Sequence, residues 1–347
     1  MVKKIFLRLC MTTMFIGLVI VIYASDKEEI DFENEKCLAA VELSEDEQII
    51  KCIVNKNLND VAIIIREQKW VSMDAVSNYF VYHNGNRSEA YDIVWRIAFS
   101  PDGNLLAYIV MIDYEWYVIC GKEKSEAYGG VGYITFSQDG KRLAYTAVTD
   151  GKWYVVCGKE KSEAYDDVYD LTFSPDGKKL AYAAKIDGKC YVVCGKEKSE
   201  AYDKVYELTF SPDGKQLAYR AKIDGKYYVL CEKEKSEAYD KVYDLTFSPD
   251  GKQLAYIAEI DGKYYVVCEK EESEPYDRVD YLTFSPDGKQ LAYAAKIDGK
   301  WYVVCGKEKS EPYHSVWDIT FSPDGNLLAY KAEIDGKWYV VCGKEKS

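Results

Sequence analysis

Eleven cysteines, two histidines and a recurring Ser-Pro-Asp-Gly tetrad are the residues of this sequence whose types could support chemistry. Seven of the cysteines, Cys120, Cys157, Cys194, Cys231, Cys268, Cys305 and Cys342, fall at one register of a 37-residue period. If each period is a separate sheet, stacked ~10 Å from the next, these thiols lie beyond the ~7 Å Cα separation that a disulfide tolerates. They are expected to be small buried hydrophobes. Cys190 replaces an aromatic residue of the other copies and should pack; Cys37 and Cys52 are a pair for which a bridge stays open. The two histidines, His83 and His314, lie in different copies, so a histidine metal cluster is not expected. A Ser-His-Asp triad is not expected either, because no Gly-x-Ser-x-Gly elbow is present. Carboxylate pairs such as Asp166 and Asp170 could do acid–base work but read better as solvated loop charges. The Asp of Ser-Pro-Asp-Gly is a turn residue bonding nearby backbone rather than a calcium ligand. The sequence therefore gives no catalytic residue, no metal and no cofactor.

The elements that would position these residues follow from the period. Phe-Ser-Pro-Asp-Gly, once Phe-Ser-Gln-Asp-Gly, has its Phe at 99, 136, 173, 210, 247, 284 and 321, and Ser-Glu-[Ala/Pro]-Tyr starts at Ser88 and every 37 residues after it. In one copy, Val168 to Phe173 is β-rich, and Ser174-Pro175-Asp176-Gly177 has Pro and Gly where a turn needs them. Lys179 to Ala184 then runs into the hairpin pair Asp187-Gly188, and Tyr191 to Cys194 makes a third run. A polar turn over residues 195–198 and a fourth, more polar run, Ser199 to Asp203, complete a four-stranded antiparallel meander. The middle runs are apolar without alternation, as a sheet covered on both faces requires, and Pro-Asp-Gly punctuation excludes helices. About eight large apolar side chains per copy, at ~1.5–3 kcal/mol each, fall short of ~1.5 kcal/mol of ordering entropy per residue. One copy needs its neighbours. The expected fold is all-β, a single β-propeller of four-stranded blades.

Register extends upstream. Asn78 to Tyr82 falls on a third strand, Lys69 to Met73 near a second and Val61 to Ile65 on a first, which makes a diverged blade over about 55–87 before the seven copies of 88–347. Residues 48–54 then become a closing strand for the last blade, an N-terminal velcro that removes an open edge. That gives eight blades over 48–347; the alternative is seven, closed by Ser88 to Tyr91, with residues 25–85 as a cap.

The tract Ser-Pro-Asp-Gly-[Lys/Asn]-x-Leu-Ala-Tyr followed by Asp-Gly-Lys-x-Tyr-Val-Val resembles the repeat of TolB-like propellers, a WD-like or PD-type family whose blades also occur in the non-catalytic propellers of prolyl oligopeptidases. The resemblance is strong over residues 88–347 and weak over 51–87. It implies a fold and leaves function open. The third strand ends in Val-Cys where WD repeats have Trp-Asp, and the Asp-box of sialidase propellers is absent.

Lys3, Lys4 and Arg8 precede an uncharged apolar run from Cys10 to Tyr23, then Ala24, Ser25 and an acidic segment over 25–47. This is the order of a Sec signal peptide over residues 1–24, which implies an exported chain, periplasmic or extracellular. An uncleaved membrane anchor is the alternative, although the run is shorter than the ~20 residues of a span. Loss of the three cationic residues moves the formal charge from −13 to about −16. Such a chain repels phosphate, so nucleic acid is a poor partner; a basic protein or peptide suits it, bound by a monomer with no stable membrane insertion after cleavage.

The copies diverge most where the fourth-to-first link is expected: Trp95-Arg96, Tyr133, Tyr169-Asp170, Tyr206-Glu207, Tyr243-Asp244, Asp280-Tyr281 and Trp317-Asp318, with His314 replacing an Asp. This is either drift or an aromatic and acidic ring of the composition enriched in binding hot spots. The first reading is a non-catalytic protein-binding or scaffolding module. An alternative is multivalent carbohydrate binding by Trp116, Trp153, Tyr227, Tyr264, Trp301 and Trp338, although these rings are expected to pack between blades. A hydrolase or lyase using Asp170, Asp244 and Asp318 is a third reading.

Overall fold

The structure, a computed structural model, describes residues 3–9, 36–44, 46–54, 56–57, 60–71, 74–343 and 345–346. The fold is all-β, made of eight four-stranded antiparallel sheets with the meander topology of propeller blades. Three lie in a compact unit over Met1–Ala164 and five in a second unit over Tyr165–Ser347. We number them blades 1 to 8: 47–87, 93–124, 130–161, 167–198, 204–235, 241–272, 278–309 and 315–346. In the first unit, Lys3–Leu9 also pairs with Lys36–Leu43 as a two-stranded sheet. The apolar run expected as a leader lies outside the described residues. Among the described residues no helix is long and apolar enough to cross a membrane.

Blade 4 shows how the sequence makes the unit. Its strands are Asp167–Phe173, Leu180–Ile186, Lys189–Cys194 and Glu197–Lys198. The fourth strand is thus only two residues long and falls where a turn was expected. Ser199–Asp203 is instead the link to blade 5, because the Ser199 hydroxyl takes the Val192 amide at 2.9 Å and ends the ladder. Asp187 and Gly188 both have positive φ, 49° and 79°, which is the backbone a two-residue hairpin needs to match strand twist.

Tyr202 in that link does two things. Its amide and carbonyl pair with Cys190 of blade 4, and its ring meets Tyr219 of blade 5 edge-on at 5.9 Å with the hydroxyls 3.1 Å apart. The same pair recurs at Tyr165–Tyr182, Tyr239–Tyr256, Tyr276–Tyr293 and Tyr313–Tyr330. The core clusters of the second unit therefore draw on two successive blades, as Ala181, Cys190 and Val192 do with Tyr202, Val205 and Tyr219. The second strand is fully buried at Ala181, Ala183 and Ala184, whose small side chains let sheets approach. The Ser-Pro-Asp-Gly turns are closed from within, as expected: the Ser174 hydroxyl donates to Asp176 at 2.7 Å and accepts from the Lys179 amide at 2.9 Å. That hydrogen bond first, then the Lys178 amide, lowers the Asp176 pKa to about 2.

The upstream register is corrected by one strand. Glu47–Val54 is the first strand of blade 1 and pairs with Val61–Val71, which is the second strand, not the first. Asp74–His83 is the third, as expected, and Asn86–Arg87 the fourth. The last blade has its own fourth strand, Glu345–Lys346, so residues 48–54 do not supply it. Residues 47–87 form a blade and not a cap, which removes the seven-blade alternative. The physical reason for the slip is that blade 1 has none of the turn tetrads that anchor the register elsewhere. Cys52 is a free thiol, so the Cys37–Cys52 bridge is not formed.

Candidate functional site: the bulged inner strands

The divergent residues do not lie in the link; apart from His314 they are inside the first strand. In the second unit the first strands of successive blades lie side by side, and each breaks register after Tyr169, Tyr206, Tyr243, Asp280 or Trp317. The next residue is left-handed in every case: Asp170 φ 55°, Glu207 56°, Asp244 54°, Tyr281 62° and Asp318 57°. A bulge inserts one residue and re-aims the side chains beside it. Here it is repeated five times along adjacent inner strands. The left-handed region is tolerable for Asp but uncommon for Glu and Tyr, so Glu207 and Tyr281 are held there by their surroundings. In the first unit, register also breaks beside Trp95 and Arg96 and beside Tyr133, without a left-handed residue at those three positions.

The bulges gather charge. Glu207 is half-buried, and its pKa is raised by burial, opposed by Arg220 and raised further by Asp244 and Asp170 on the flanking blades. Arg220, opposite Tyr206 on the second strand of blade 5, places its Nε 2.7 Å from Glu207 Oε2. It also donates to the Val242 carbonyl and lies over the Tyr206 ring. On blade 8, Lys331 holds Asp318 at 2.7 Å, and on blade 7 Arg278 reaches Asp280 at 3.0 Å. Asp170 and Asp244 are exposed.

The aromatic members divide in two. Tyr169 donates to Cys190 Sγ at 3.1 Å, Tyr206 packs on Tyr227, and Tyr243 stacks on Tyr264 while donating to Glu259 at 3.0 Å. These three rings are folded onto their own blades. Trp317, 51% exposed, meets Tyr281 of the preceding blade at 6.5 Å. In the first unit Trp95, 54% exposed, leans on Trp116, and Arg96 lies 5.6 Å over the Tyr133 ring. His314 stands apart in the link, its Nε2 3.4 Å from Lys300, where register-equivalent Asp203 and Asp277 pair with Lys189 and Lys263.

Arg220 and Lys331 were missed by reading the link alone. Their signal is at one second-strand position that reads Ile109, Thr146, Ala183, Arg220, Ile257, Ala294 and Lys331 through the copies. Of the aromatics offered for carbohydrate, Trp116, Tyr227, Tyr264 and Trp301 pack into clusters shared with the following blade. Trp338 is 53% exposed. Asp166 accepts the Asp187 amide at 2.8 Å, and is thus a hairpin support.

No protein-family model and no curated protein sequence matches the chain. Among solved structures, the chain is similar to the Dos1 propeller, with 9% identity over 85% of this chain and 92% of that one and a TM-score of 0.38. It is similar to TolB from Acinetobacter baumannii, with 14% identity, 80% and 81% coverage and a TM-score of 0.30. It is also similar to an oligogalacturonate lyase in complex with manganese, with 13% identity, 84% and 96% coverage and a TM-score of 0.35. The fold assignment rests on the sheets themselves: the chain has the architecture of β-propeller blades.

Proposed function

We propose that this chain is an exported, non-catalytic binding module that takes a basic protein or peptide segment on the bulged inner strands of its second unit. The observation that carries the reading is the row Asp170, Glu207 and Asp244 on three successive blades, with Arg220 as the cation set among them. Exposed Trp317 beside Tyr281 adds an aromatic anchor at one end of the row. The tyrosine pairs and alanines already stack the blades, and the bulges add charge to the inner strands beyond that packing. Like charges held close on a rigid scaffold raise the local concentration of an oppositely charged partner, and aromatic anchors supply most of the contact energy. The leader over residues 1–24 is what supports export.

The test is a basic peptide array probed with the full chain at two salt concentrations. Binding to Lys- and Arg-rich peptides should weaken at least tenfold in Asp170→Asn/Glu207→Gln/Asp244→Asn and separately in Trp317→Ala, with the melting transition preserved. Peptide affinity unchanged in both variants would remove the site.

A further inference from the structure

The end of the blades that carries the Ser-Pro-Asp-Gly turns has a groove between blades 5 and 6, of about 620 Å3. That volume lies within the ~300–1,000 Å3 of ligand pockets. Its floor is apolar and aromatic: Val229 and Val267 with the hydroxyl pair of Tyr239 and Tyr256. Its rim has five carboxylates, Glu232, Glu234, Glu237, Glu269 and Glu272.

An equivalent groove is present in the first unit, smaller and with a different lining. Four repeats upstream, between blades 1 and 2, a groove of about 210 Å3 has His83, Arg87, Asn104 and Gly121 at the positions of Cys231, Lys235, Lys252 and Glu269. There the imidazole of His83 is held by Asp60 at 2.7 Å, and no rim carboxylate is added. In the blade 5–6 groove, Glu232 and Glu269 stand where blades 2, 3, 4, 7 and 8 have Gly121, Gly158, Gly195, Gly306 and Gly343, and Glu272 stands where the other six full copies have Lys. Three negative charges gained and one positive lost make this groove about four charges more acidic than the copies would otherwise give.

Four of the five carboxylates are not neutralised. Glu232 accepts the Leu217 amide at 3.0 Å, Glu269 the Leu254 amide at 3.2 Å and Glu272 the Tyr239 hydroxyl at 3.2 Å, each through one oxygen. Of the groove's lysines, Lys270 pairs with the rim's Glu234, whereas Lys252 is turned to Asp250 and Lys235 lies over the Tyr228 ring. Among the described residues, Glu232, Glu237, Glu269 and Glu272 have no cation beside them.

We propose that this groove is a second binding site, separate from the inner strands, for a peptide segment carrying Lys or Arg. A basic side chain has both halves of the required chemistry, an aliphatic stem for the Tyr and Val floor and a cationic head for the rim. A cleft of one sign with apolar walls also concentrates the field on such a ligand.

The experiment uses the full chain and fluorescein-labelled hexa-arginine, read by anisotropy at physiological salt. Glu232→Gly/Glu269→Gly/Glu272→Lys installs the residues that other copies already have at these positions, so the blades keep their fold. The expected result is saturable binding that remains in Asp170→Asn/Glu207→Gln/Asp244→Asn, where the inner-strand contribution is removed, and that becomes at least tenfold weaker again when the groove substitutions are combined with that variant. Affinity unchanged when the groove substitutions are added to the inner-strand variant, no saturable binding left in the inner-strand variant alone, or saturable calcium binding by the parent without peptide binding would each overturn the proposal. Because the two variants share no residue, failure here leaves the inner-strand reading standing or falling by itself.

Discussion

Blades 7 and 8 contain the same third strand, Lys-Trp-Tyr-Val-Val-Cys at 300–305 and 337–342, in two different environments. Val303 is 4% exposed and Val340 48%. Trp301 is half-buried beneath blade 8, whereas Trp338 is open, and Ala292 is fully buried where Ala329 is only half-buried. Nothing in the six residues differs. Burial in this architecture belongs to the interface and not to the strand, so an identical peptide is core in one blade and surface in the next. A repeat that cannot bury its own faces draws its stability from contact with its neighbour.

The comparison breaks or holds most visibly at the valine. Val303→Asp should cost about 3–5 kcal/mol, the scale of an uncompensated buried charge, whereas Val340→Asp should stay within about 0.5 kcal/mol, as for an open surface. Chemical denaturation of the two variants measures the difference, and equal losses would show that blade 8 is covered in solution.

A smaller contrast is expected at the turns. Ser285, fully buried, donates to Asp287 at 2.7 Å and accepts the Gln290 amide at 3.0 Å, whereas the same serine in blade 8, Ser322, is partly solvated. Ser285→Ala should cost about 1–2 kcal/mol and Ser322→Ala less than about 1 kcal/mol. The turn also sets an acid limit. The Ser285 hydroxyl and the Lys289 amide lower the Asp287 pKa to about 2, below the ~3.9 of an unfolded aspartate. Its contribution is complete above the unfolded value and is lost as pH falls through the folded one. The melting temperature should therefore drop between about pH 4 and pH 2, less steeply in Ser285→Ala; a flat profile would contradict the hydroxyl–carboxylate bond.

The smallest effect involves no stability at all. Burial, and then Glu308, raises the Cys305 pKa, while Cys342 is exposed. Iodoacetamide should label Cys342 first and Cys305 slowly, read by peptide mass mapping; equal rates would argue against the open face.

What the sequence revealed followed the range of the interactions that write it. Ser-Pro-Asp-Gly and Asp187-Gly188 are local turn chemistry, and the structure has both where they were expected. The fourth strand was misplaced because two residues, Glu197–Lys198, have no alternation to read and are fixed only by the Val193 and Cys194 they pair with. Blade 1 slipped by one strand because it lacks the tetrads. The site residues were found by their divergence, but the bulge at Tyr169–Asp170 looks in sequence like an uninterrupted strand, so they were assigned to a loop. Arg220 lies 13 residues beyond the glutamate it serves, and only the paired strand brings the two together.

Tyr202, tied by backbone to one blade and by its ring to the next, has a consequence for how such a gene changes length. The segment that joins two sheets is also their fastener, so a cut of 37 residues taken from any starting point removes one sheet with one complete fastener. The ends left behind meet as any other two neighbours do. Unequal crossing-over within the array would therefore yield longer and shorter chains whose every junction is already tested.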